Sequence, residues 1–124
     1  MITRLAFVVF LGMATAASAG STAGQLESRN KRDTSTPEGE KYQRKAVTTF
    51  WGDASFMGEC APEGKPLPKA FTIYFEVTRD GAFGEMLLVP ETEVGECVRK
   101  HVTARRFEKP RHPFVVKIDL SFTE

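Results

Sequence analysis

Two stretches of this chain carry apolar residues on alternate positions. In Phe71-Thr72-Ile73-Tyr74-Phe75-Glu76-Val77 the odd positions are all apolar, and in Phe114-Val115-Val116-Lys117-Ile118-Asp119-Leu120-Ser121-Phe122 the even ones are. A period of two sends those side chains to one side of a pleated strand, so both stretches are predicted strands with one face on a core. Arg79-Asp80-Gly81 follows the first. Asp-Gly tolerates the positive φ of a tight turn, which predicts an antiparallel return strand over residues 83–89, bulged at Gly84 and ended by Pro90.

Elsewhere the spacing lengthens. Tyr42, Val47, Phe50, Trp51 and Met57 recur at about three to five residues between Glu38 and Glu59, which predicts one helix broken at Gly52. Phe50 and Trp51 are assigned to the core beneath it rather than to a binding platform. Pro62, Gly64, Pro66 and Pro68 exclude a helix or central strand from the next segment. Val94, Cys97, Val98 and Val102 share one face of a second helix, which Thr92 can cap. Glu93 and Glu96 at its start, and Arg99, Lys100, Arg105 and Arg106 towards its end, complement the helix dipole. Residues 20–37 are polar, with Leu26 as the single large apolar side chain, and are expected to form a flexible leader.

The predicted order is helix, strand, strand, helix, strand. A right-handed crossover through the second helix lands the last strand parallel to the second and beside the first. The expected fold class is therefore α+β: a two-layer domain over residues 38–124, with a three-stranded sheet of order 2-1-3 covered by two helices and the last strand on an open edge.

The N-terminus changes the compartment. Arg4, the apolar run opening Leu5-Ala6-Phe7-Val8, and Ala17-Ser18-Ala19 have the layout of a cleavable export signal over residues 1–19. Cleavage takes away Arg4 and leaves sixteen basic against sixteen acidic side chains, a balance that argues against a nucleic-acid partner. In an oxidising compartment the two cysteines, Cys60 and Cys97, are expected to form a disulfide tying the two helices. Cys97 and His101 share a helix face, but two ligands are too few for a zinc site, and neither a nucleophilic triad nor a phosphate-binding loop stands out. The chain reads as a non-enzyme without metal or other cofactor.

The segment from "FTIYFEVTRDG" through Cys97-Val98 and Arg106-Phe107-Glu108-Lys109-Pro110 to "FVVKIDLSF" resembles the C-terminal domain of the energy transducer TonB and its TonB-like relatives. The resemblance covers residues 70–122, and the pairing of Cys60 with Cys97 resembles a cysteine-bearing branch. It implies a periplasmic domain that captures an extended segment of an outer-membrane receptor or other envelope protein by strand addition. The matching element is the last strand, with Val115, Lys117, Asp119 and Ser121 facing the partner. No Tyr-Pro pair stands at the first helix and no proline-rich spacer is present. Signal cleavage would also remove a membrane anchor, so force transduction is not implied. The alternative reading is a small secreted inhibitor or immunity-type protein that uses another surface of the same scaffold.

Overall fold

The computed structural model describes residues 20–62, 64, 66 and 70–121. The expected export signal lies outside them, as do Pro68 and Phe122. In chain order the described elements are helices α1 (Ala23–Asp33), α2 (Pro37–Trp51) and α3 (Met57–Cys60), strands β1 (Ala70–Val77) and β2 (Phe83–Val89), helix α4 (Glu93–Val102) and strand β3 (Phe114–Ser121).

β1 lies in the middle of the sheet, antiparallel to both neighbours, giving the order β2-β1-β3. Ile73 stands opposite Leu88 on one side and Ile118 on the other, and Phe75 opposite Met86 and Val116. The apolar phases of all three strands therefore meet on one face. The fold class is the expected α+β arrangement. In the hairpin Phe75 faces Met86 but Val77 faces Phe83, so β2 carries an extra residue at Gly84–Glu85, the site of the expected bulge. Gly81 turns the hairpin at φ 86°, and its carbonyl accepts the Phe107 N–H at 2.8 Å. A Cβ there would collide with the Phe107 carbonyl oxygen, so this approach of two backbones requires glycine.

α2 and α4 cover the apolar face. Phe50 of α2 is fully buried and stacks on Phe75 at 5.1 Å, while Val98 and Val102 of α4 close the same cluster with Ile73, Val77 and Val116. Trp51 is half-buried at its margin, edge-on to Phe50. The first predicted helix breaks where expected: α2 stops at Gly52, φ 58°, and the chain resumes as the short α3. α4 is shorter than its charge pattern suggests. It ends at Val102, so its last turn holds Arg99, Lys100 and His101 and excludes Arg105 and Arg106. Arg105 serves a different helix: its Nε donates to the Phe50 carbonyl at 3.0 Å and Nη2 to that of Trp51 at 3.4 Å. Those carbonyls lie at the end of α2, whose last turn has no basic residue of its own; that of Trp51 also accepts the Ala54 N–H at 2.8 Å.

Residues 23–33 depart from the expected leader. They form α1, started by a capping box in which Thr22 accepts the Gln25 N–H at 3.1 Å and Gln25 accepts that of Thr22 at 2.8 Å. The helix lies on the second face of the sheet, where Leu26 is 0 % exposed against Tyr74 and Val115. These two are the apolar side chains in the otherwise polar phases of β1 and β3. The two-layer core thus carries an additional helix on its back. Gly39, at the start of α2, admits the Asp33 carbonyl so closely that a Cβ would strike it, which fixes the turn between α1 and α2.

Candidate protein-binding edge

Among the described residues no strand lies beyond β3, so its outward backbone groups form the candidate site. The outward positions are the odd ones, since the Val115 and Lys117 N–H groups bond to side chains outside the sheet. Asp33 Oδ2 accepts the Val115 N–H at 2.9 Å, and Asn30 Nδ2 donates to the Val115 carbonyl at 2.8 Å. The same Asn30 amide donates to Gln43 Oε1 at 2.6 Å, and that oxygen accepts the Lys117 N–H at 3.3 Å. Side chains from α1 and α2 therefore stand where a neighbouring strand's backbone would stand.

Burial makes these contacts consequential. Asn30 and Asp33 are each 6 % exposed, and among the described residues no buried side-chain polar atom lacks a hydrogen-bond partner. A buried backbone amide without an acceptor costs about 1–3 kcal/mol, so the caps close the first half of the edge by satisfying it.

A charged cluster seats α1 over the same strand. Glu27 accepts from the Tyr74 hydroxyl at 2.6 Å and pairs with Lys117 Nζ at 2.9 Å. The Tyr74 hydroxyl first, then the Lys117 ammonium, hold the Glu27 carboxyl below the usual carboxylate range. The hydrogen bond to Glu27 in turn raises the Lys117 ammonium. Arg29 Nη2 meets Glu76 at 2.7 Å, and the Ser21 N–H meets Glu85 at 2.6 Å, so α1 is held from β3 across to β2.

The four residues expected to face a partner therefore divide. Val115 is fully buried under α1, and Lys117 is half-buried in its pair with Glu27. Asp119 and Ser121 are exposed, Asp119 accepting only from the Thr72 hydroxyl at 2.8 Å among its described contacts. Among the described residues no side chain caps the outward amides of these two. The open edge is the C-terminal half of β3.

Sequence reasoning missed Glu27, Asn30, Asp33 and Gln43. A signal for them exists in the Thr22-x-x-Gln25 box followed by Leu26, Asn30 and Asp33 at helical spacing. The basic residues in and after α4, which could offer another surface to a partner, are partly committed to contacts within the fold. Arg99 bonds Glu96 at 3.0 and 3.2 Å and the Met86 carbonyl at 3.3 Å, Arg105 caps α2, and Lys100 is exposed.

Cys60 and Cys97 lie with their sulfurs 2.08 Å apart, a disulfide joining α3 to α4 across 37 residues of sequence. Cys60 is buried and Cys97 half-buried at the rim of the core. His101 stands beside them, and a ring nitrogen with both sulfurs forms a group of three potential ligand atoms within 4.8 Å of one another. No family model, curated protein or solved structure matches the chain. None of the described helices is long and apolar enough to cross a membrane.

Proposed function

We propose that this chain is an exported, TonB-like, non-enzymatic binding domain of the periplasm that takes an extended segment of an envelope protein onto the β3 edge. The observation that carries the reading is the form of the edge. Its first half is closed by three side chains that bond the strand as a neighbouring backbone would, while the outward amides at Asp119 and Ser121 are left for a partner. A partner strand would pair first with the open half. It would extend towards Val115 only as Asn30, Asp33 and Gln43 give up their bonds, each exchanged for a main-chain bond of similar kind.

The occupied half also supports a second reading, in which the caps keep the edge closed and a folded partner meets another surface, as in an inhibitor or immunity-type protein. Photocrosslinking distinguishes the two. A crosslinker at Ser121 should join β3 to one linear segment of an envelope protein, and one at Lys100 should not. Crosslinks from Lys100 alone, to scattered positions on a folded partner, support the second reading.

A further inference from the structure

The bridge between α3 and α4 has more donors around it than a structural staple uses. His101 follows Cys97 by one helical turn, and Glu59 immediately precedes Cys60. The His101 ring is fixed on the buried Phe56 ring, centroids 5.3 Å apart and planes 15° from parallel. Its Nε2 lies 3.0 Å from Glu59 Oε2. Two helices thus bring three donors within 4.8 Å of one another, Cys60 from α3 and Cys97 and His101 from α4, and Glu59 of α3 holds the His101 ring from beside them. A tetrahedral zinc ion with bonds of about 2.0–2.3 Å separates its ligand atoms by about 3.3–3.8 Å. The His101 ring nitrogen and the two sulfurs lie within 4.8 Å of one another, and the sulfurs reach ligand spacing once the bond between them opens.

We propose that the reduced protein binds one zinc ion through Cys60, Cys97 and His101, with Glu59 holding the His101 ring, so that the staple is a redox-controlled metal site with a fourth position open to water. A dithiol reductant passes two electrons and two protons to the Cys60–Cys97 bond, yielding two thiols and becoming a disulfide itself. Zinc then displaces both thiol protons into solvent and takes neutral His101 as a further ligand. A protein disulfide reverses the exchange: it accepts two electrons from the thiolates, re-forms the Cys60–Cys97 bond and releases the ion. α3 and α4 are joined in both states, by sulfur–sulfur bonding in one and by the metal in the other. The proposal is independent of what β3 binds.

The simpler alternative is a disulfide beside a surface ion pair, in which His101 and Glu59 contribute little. The deciding experiment uses the exported chain, reduced under anaerobic conditions, with zinc alone as the probe in competition with a chromophoric chelator. The expected result is one zinc per reduced chain and none per oxidised chain, with Glu59→Gln weakening affinity by roughly 10–100-fold, as loss of a ligand's hydrogen-bond partner does, and His101→Ala weakening it further. Cobalt in place of zinc should give the intense visible bands of a tetrahedral site together with thiolate charge transfer. Unchanged zinc affinity in His101→Ala, or reduced wild type binding zinc no better than Cys60→Ser, overturns the proposal. If reduction unfolds the chain, zinc should restore the native circular dichroism of wild type but not of His101→Ala. Failure to restore it in wild type overturns the proposal equally.

Discussion

The Asp33 carboxylate, at the end of α1, accepts the backbone N–H of Val115 in β3 at 2.9 Å, across a separation of 82 residues. A side chain here does the work of a neighbouring strand, in a place almost closed to water. Asp33→Ala leaves that amide without its acceptor and should cost about 1–3 kcal/mol by urea denaturation. Amide exchange at Val115 should accelerate far more than at Val116, whose N–H faces β1. Equal acceleration at both would show that the whole strand, not the cap, had been loosened.

Leu26 tests the seating of α1. Its side chain is fully enclosed against Tyr74 and Val115, so Leu26→Ala should destabilise the protein by about 2–5 kcal/mol. A residue in a solvated leader would register close to zero. Thermal unfolding of the two proteins measures the difference.

What the sequence revealed depended on how far each element relies on distant partners. β1, β2 and β3 declare themselves because alternation of Ile73, Phe75 and Val77, or of Val116, Ile118 and Leu120, is a local property of one-sided burial. α4 was legible through Thr92 and the Val94, Cys97, Val98, Val102 face. α1 was not, because it buries one large side chain and holds the sheet mainly by polar contacts. Glu27, Asn30 and Asp33 look like solvated residues until Tyr74, Val115 and Lys117 are placed beneath them. Arg105 was misassigned for a related reason: its charge suits the end of α4, but the chain leaves the helix at Val102 and carries it to the carbonyls of α2. Half the candidate edge was therefore legible, and its cover was not.

The charged cluster predicts acid sensitivity. The folded Glu27 carboxyl titrates below its ordinary value of 4.5, held there first by Tyr74 and then by Lys117. A depressed folded pKa contributes stability that is complete above the unfolded value and is lost as pH falls through the folded one. Wild type should accordingly exceed Glu27→Gln in stability at neutral pH, and the gap should narrow as the solution is acidified below the ordinary carboxylate value. Urea midpoints of both proteins across the acid range check the sign.

Reducing the Cys60–Cys97 bond in the presence of a metal chelator should lower stability by about 3–4 kcal/mol, the chain-entropy expectation for a loop of this length. The bridge separates its cysteines by 37 residues, and both helices it joins press on the core. Cys60→Ser together with Cys97→Ser should show the same loss without reductant. Stability unchanged by either treatment would mean that packing alone holds α3 against α4.

The central claim concerns Asp119, whose outward N–H belongs to the open half of the edge. Asp119→Pro removes that donor while leaving the β1 ladder intact, because the even residues of β3 make the ladder bonds. The most direct measurement selects extended peptides from a displayed library on the wild-type protein, then compares their binding and backbone amide exchange with those of folded Asp119→Pro. The account predicts peptides that slow exchange at Asp119 and Ser121 in wild type and lose binding to the proline variant. Selected peptides that bind Asp119→Pro with unchanged affinity, and leave exchange at Ser121 unaltered, would contradict strand addition at β3.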